Sequence, residues 1–174
     1  MQNRTLRQLT AAGVIAAAYA ALSLALAPIS FGAVQCRVAE VLTLLPVISP
    51  AAIWGVGLGC AITNAVGAAT GANFLGPVDL FVGTAATLLA AVASRLLGRI
   101  RIGGLPWLSA LPPILFNAVA IGAEWCYVMT GTLNGTFWLL AGQIALGQLP
   151  PCLLGVWLVG LLERRGLQNI IEGK

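Results

Sequence analysis

The chain has 174 residues, 59% of them hydrophobic and 8% charged, with a net charge of +4 and a mean hydropathy of +0.96. Soluble domains average about 25% charged residues, so this composition excludes an ordinary water-soluble domain and points to an integral membrane protein. There is no histidine, and Cys36, Cys60, Cys126 and Cys152 show no CxxC or CxxH spacing, which argues against zinc and haem sites and leaves the cysteines as small apolar fillers.

At about 20 residues per span, the length suits a single domain of five or six transmembrane helices. The first apolar run follows Arg4 and Arg7 and reaches Pro28. It is longer than the roughly 7–15 residues of a signal-peptide core and has no clear cleavage site. It is therefore expected to be a retained span over about 8–27. Ala12, Ala16 and Ala20 form a small-residue ridge, with Ala17 and Ala21 beside it. Such a ridge admits a close helix neighbour, either within this chain or on a separate membrane subunit.

A Pro/Gly loop then leads to a second span over about 35–48. At the α-helical rise its 14 or so residues reach only roughly 21 Å, short of the roughly 30 Å hydrocarbon core. Ser49-Pro50 opens a third span, 51–70, containing Gly55, Gly57, Gly59, Gly67 and the polar Asn64. A fourth span, 78–97, has Asp79 in its first turn, and the loop after it is basic, with Arg99 and Arg101 beyond Arg95. A fifth, 110–129, holds Asn117 and Glu124; a sixth, 137–162, holds Gln143 and Gln148.

Six passes put both termini on one side, together with every basic residue except Arg37. By the positive-inside rule that side is cytoplasmic. The expected fold is thus an all-α bundle of six transmembrane helices, multi-pass in a cell membrane and surrounded by lipid bilayer. The positive charge reflects topology rather than nucleic-acid binding. Glu163 and Glu172 fall in the cytoplasmic tail, whereas Glu40, Asp79 and Glu124 fall on the outer side. Asn64 and Glu124 lie at a similar depth, Glu124 roughly 21 Å from the inner end of its span, and Gln143 is roughly 9 Å from the outer end of its own.

Helical spacing groups these residues further. Arg37, Glu40 and Thr43 share a face, as do Asp79, Gly83 and Thr87, and likewise Asn117 and Glu124. Polar groups gathered at one depth of a membrane are a functional hypothesis by default. Two readings stay open: a hydrogen-bonded cluster that joins helices, or an outward-open pocket for a small polar solute. Trp125, Tyr127, Phe137 and Trp138 are expected near the outer interface, as belt residues or as stacking partners for a flat ligand. No phosphate-binding GxxxxGK[ST] loop is present, nor a nucleophile beside a base, so neither an enzyme nor a cofactor is expected.

The pattern Pro28-x-x-Phe31-Gly32, Gln35-x-Arg37-x-x-Glu40-x-Leu42-x-x-Leu45-Pro46, followed by Gly55-x-x-x-Gly59-Cys60-x-Ile62-x-Asn64, Gly76-x-x-Asp79-x-x-x-Gly83-Thr84-x-x-Thr87, and Asn117 with Glu124, resembles the QueT family of queuosine-precursor transporters over nearly the whole chain. The resemblance implies the S component of an energy-coupling factor (ECF) transporter in a prokaryotic cytoplasmic membrane. Such a subunit has no ATPase of its own, docks on a T component carrying two ABC ATPase subunits, and moves substrate by toppling in the membrane. The implied substrate is a 7-deazaguanine such as 7-aminomethyl-7-deazaguanine, or queuine. On this resemblance Glu40, Glu124, Asn117, Asp79, Gln143, Asn64 and Arg37 are the expected substrate-binding residues, with Glu124 or Glu40 on the guanine-like edge. Arg37 either touches the solute or pairs with Glu40 or Asp79. Ala12, Ala16 and Ala20 match the docking ridge. Another vitamin or nucleobase, a secondary carrier, and a helix-bundle assembly protein are the alternatives.

Overall fold

In a computed structural model the protein is described over residues 2–32 and 35–166. The long helices are α1 (Gln2–Ala25), α3 (Ala51–Thr70), α4 (Pro77–Leu97), α5 (Leu111–Thr130) and α6 (Thr136–Arg164); α2 (Ala27–Ser30) is a single turn. All five long helices contain stretches long and apolar enough to cross a membrane. Their ends follow local chemistry. Gly71 and Gly131 adopt φ of 73° just beyond α3 and α5, the left-handed conformation that closes a helix C-terminus. Pro77 starts α4, where its missing N–H leaves no intrahelical bond unmade.

The second expected span, 35–48, is not an α-helix. Its residues form a 3-10 helix, Val38–Val47, entered through extended backbone at Arg37 (φ −85°, ψ 99°). The change of helix type alters its reach. At about 2.0 Å per residue the helix covers about 20 Å, and the extended residues before it add about 3.3 Å each. A segment too short as an α-helix thereby traverses most of the bundle. Its start faces the first turn of α4, where Arg37 Nη2 lies 3.8 Å from Asp79 Oδ2. Its end faces the last turn of α4, where Arg95 Nη1 donates to the Pro46 carbonyl at 2.7 Å. On α6 it is seated by glycines. A Cβ at Gly147 would collide with the Gln35 carbonyl, and one at Gly155 would come within 2.7 Å of the Val41 carbonyl.

The small-residue ridge of α1 is turned inward. Ala16 and Ala20 are buried. A Cβ at Gly55 would lie 2.9 Å from the Ala12 carbonyl, and one at Gly59 would lie 2.9 Å from the Ala16 carbonyl. Ala12 and Ala16 thus face α3 of the same chain, one of the two neighbours that the ridge admits. Among the small residues that α1 leaves exposed are Gly13, Ala17 and Ala21, one position further along, together with Ala18 and Ala25.

Leu44, Val56, Val156 and Val159 are fully buried in a core that joins the 3-10 helix to α3 and α6. Large apolar side chains also cover the outside, among them Trp54 at 72% and Phe81 at 73% exposure, as a lipid-facing surface requires. One end of the bundle is clasped by polar contacts. Ser94 and Ser109 each donate a hydroxyl to the other's backbone carbonyl, at 2.8 and 2.9 Å. Arg101 makes a two-pronged pair with Glu163 at 2.9 and 2.7 Å. Arg95, Arg99, Arg164 and Arg165 belong to this same end. Glu172 and Lys174, placed in the tail by the sequence, lie outside the described residues.

Candidate functional site

Among the described residues the buried charged side chains are Arg37, Glu40, Asp79 and Glu124, at 4%, 1%, 0% and 8% exposure. They come from the 3-10 helix and its entry, α4 and α5. Three carboxyl groups therefore share the interior with one guanidinium. Buried charge is tolerated only when paired or hydrogen-bonded, so the partners of each group decide what the site can do.

Arg37 is held on three sides. Its Nη1 donates to Cys60 Sγ at 3.6 Å, its Nη2 faces Asp79 at 3.8 Å, and its guanidinium carbon stands 5.3 Å from the centre of the Phe31 ring, within cation–π range. The observed ion pair of Arg37 is thus with Asp79. Asp79 is held in turn by Asn73, whose Nδ2 donates to Oδ2 at 2.7 Å, while Asn64 Nδ2 donates to its backbone carbonyl at 2.8 Å. Gly83 makes this packing possible, because a Cβ there would collide with Asp79 Oδ1 and stand 2.8 Å from Asn64 Nδ2. Cys60 is a common acceptor, taking Thr87 Oγ1 at 3.3 Å and Asn64 Nδ2 at 3.5 Å besides Arg37.

Glu40 is gripped from α1. Tyr19, with no exposed surface, donates its hydroxyl to Glu40 Oε1 at 2.7 Å. Thr43 Oγ1 donates to the Glu40 carbonyl at 2.6 Å. Asn117 of α5 and Cys152 of α6 are also neighbours of the Glu40 carboxyl group. Glu124 lies two helical turns beyond Asn117 on α5, with Asp79 as the charged group that bears on it.

Within the bundle many buried polar atoms, of this network and beyond it, have no hydrogen-bond partner. Among the described residues the free donors are Arg37 Nε, Arg37 Nη2 and Asn117 Nδ2. The free acceptors are Gln35 Oε1, Glu40 Oε2, Asn64 Oδ1, Asp79 Oδ1, both oxygens of Glu124, and Gln148 Oε1. Hydroxyls of Ser23, Ser30 and Thr84, which can act either way, are unpartnered too. Native interiors rarely leave such groups unmet. A polar occupant that mostly donates would satisfy this one. By contrast, a groove of about 460 Å³ between α5 and α6, lined by Val119, Leu133, Phe137 and Trp138, offers few polar groups.

Arg37, Asn64 and Asp79 are brought together directly, Glu40 lies one 3-10 turn along from Arg37 with Asn117 as a neighbour, and Glu124 lies within electrostatic reach of Asp79. Gln143 is not gathered in: it is half-buried on the flank of α6, whereas Gln148 is buried. The two glutamines are five residues apart, about 140° around an α-helix, so they do not share a face. Tyr19 and Asn73 are the further site residues that the sequence reading passed over. A tyrosine in mid-span was a usable signal, since its buried hydroxyl needs an acceptor. Asn73 gave none beyond its place in a turn. Of the outer aromatics, Tyr127 and Trp138 point outward at 63% and 77% exposure, and Trp125 packs on Phe74 with ring centres 5.7 Å apart.

In comparison with known proteins, the family model of the QueT transporter matches residues 9–164. No curated protein and no solved structure matches the chain.

Proposed function

The chain belongs to the QueT transporter family, and from that membership we propose that it is the substrate-binding S component of an ECF transporter, taking up a queuosine precursor. The substrate class is a 7-deazaguanine, such as 7-aminomethyl-7-deazaguanine, or queuine. In this reading the chain makes six passes of a prokaryotic cytoplasmic membrane, with the 3-10 helix as the second and both termini inside. A T component with two ABC ATPase subunits powers it, and the exposed Gly13, Ala17 and Ala21 of α1 are where a membrane helix of the T component would sit.

One observation carries the substrate class: on Arg37, Glu40, Asn64, Asp79, Asn117 and Glu124 the buried atoms without a hydrogen bond are five acceptors against three donors. A deazaguanine presents ring N–H and amino donors and one carbonyl, and an aminomethyl group adds a cation. That balance complements an interior with three carboxyl groups and one guanidinium. Asn117 and Arg37 have the free donors for the carbonyl. Glu40, Asp79 and Glu124 have the free acceptors for the N–H groups and the cation.

The test is equilibrium binding of deazaguanines to the purified chain, alongside other vitamins and nucleobases. Saturable binding of a deazaguanine is expected, weakened at least about tenfold by removing a charge-assisted acceptor as in Glu124→Gln. Binding of another vitamin instead would overturn the substrate class. Uptake that persists in cells without any ABC ATPase partner would overturn the ECF assignment in favour of a secondary carrier.

A further inference from the structure

We infer that Glu124 and Glu40 divide the substrate between them, and that Tyr19 is the positioning residue that enforces the division. This rests on the deazaguanine reading above. A guanine-like edge carries two adjacent donors, the ring N–H and the amino group, and a carboxylate meets both only with two open oxygens side by side. Both oxygens of Glu124 are open. Only Oε2 of Glu40 is open, because Oε1 already accepts from the Tyr19 hydroxyl at 2.7 Å. Glu124 therefore takes the paired donors, and Glu40 takes a single strong donor, the ammonium of an aminomethyl substituent.

The grip on Glu40 comes from buried, closely packed groups. Tyr19 is fully buried, and its Cβ lies where a side chain on Gly59 would have to go, 2.7 Å from the site of a Cβ there. Thr43 holds the Glu40 backbone from the other end of the residue. With Oε1 tied to α1, Glu40 offers Oε2 as its one oxygen with no bond already made. Glu124 has no such tie.

Three ligands separate the two roles: 7-deazaguanine, 7-deazahypoxanthine (which lacks the amino group) and 7-aminomethyl-7-deazaguanine. Binding constants are measured for the intact chain and for Glu124→Gln, Glu40→Gln and Tyr19→Phe. Selectivity is read as a ratio of two ligands within one variant, which cancels any loss of folded protein. Glu124→Gln is expected to reduce the preference for 7-deazaguanine over 7-deazahypoxanthine to within about twofold, leaving the aminomethyl preference in place. Glu40→Gln should do the converse. Tyr19→Phe, which keeps the ring, should lower the aminomethyl preference at least about threefold and leave the amino-group preference unchanged. Exchanged roles for the two glutamates, or wild-type ratios in Tyr19→Phe, would overturn the division while the deazaguanine reading stood. No binding of any of the three by the intact chain would overturn both.

Discussion

Gly83 shows how one missing methyl shapes the site. Asp79 and Asn64 occupy the space its side chain would fill. In Gly83→Ala, better helix propensity stabilises by about 1 kcal/mol, while overpacking costs about 1–3 kcal/mol. The melting temperature is thus expected to fall only modestly, whereas ligand binding drops at least about tenfold as the two polar groups are displaced; calorimetry and binding on the same preparation check this. Arg37 and Asp79 make a second residue-scale test. Truncating Arg37 to Ala strands a buried carboxyl group and is expected to destabilise by about 3–5 kcal/mol. Adding Asp79→Asn should recover part of that loss, because the stranded charge goes with it. Equal unfolding free energies for the single and double variants would show that the pair is not coupled.

At the scale of elements, the join between α6 and the 3-10 helix rests on absent side chains. Gly155→Val would drive a side chain into the Val41 carbonyl and Leu44. It is expected to destabilise by about 2 kcal/mol or more, whereas Gly142→Ala on the open side of α6, with nothing within 4 Å, should stabilise by about 0.5–1 kcal/mol. Thermal melts of the two variants in one detergent decide it. Both ends of α3 and the start of α4 were legible because Pro50, Gly71, Gly76 and Pro77 punctuate them. The phase of α1 was not: alanines lie on nearly every side of it, so no polar stripe marks which ridge faces in. The helix type at 38–47 was equally hidden. Its i, i+3, i+6 row of Arg37, Glu40 and Thr43 fits a 3-10 helix better than an α-helix, yet that spacing alone supports both. The charged part of the site was legible because charge is rare in this chain. Gln143 was read from depth alone, and depth does not fix the angle at which it stands on α6.

For the whole molecule, sidedness organises the rest. The clasped end carries Arg95, Arg99, Arg101, Arg164 and Arg165, and the opposite turn at 130–135 is polar but uncharged. If six passes are made with the clasped end inside, a membrane-impermeant maleimide should label Asn134→Cys in intact cells. Arg99→Cys should label only after permeabilisation, each compared with the wild-type background. Labelling of both from outside would contradict that orientation. The 3-10 helix also has a consequence for the order of the whole assembly. A helix with three residues per turn repeats itself after about 6 Å, so shape alone would let it slip by one turn, like a screw advanced one thread. Slipping by a turn would bring Glu40 to the place of Arg37, carboxyl against the carboxyl of Asp79. The sign change between the two residues is the index mark that keeps the thread from slipping.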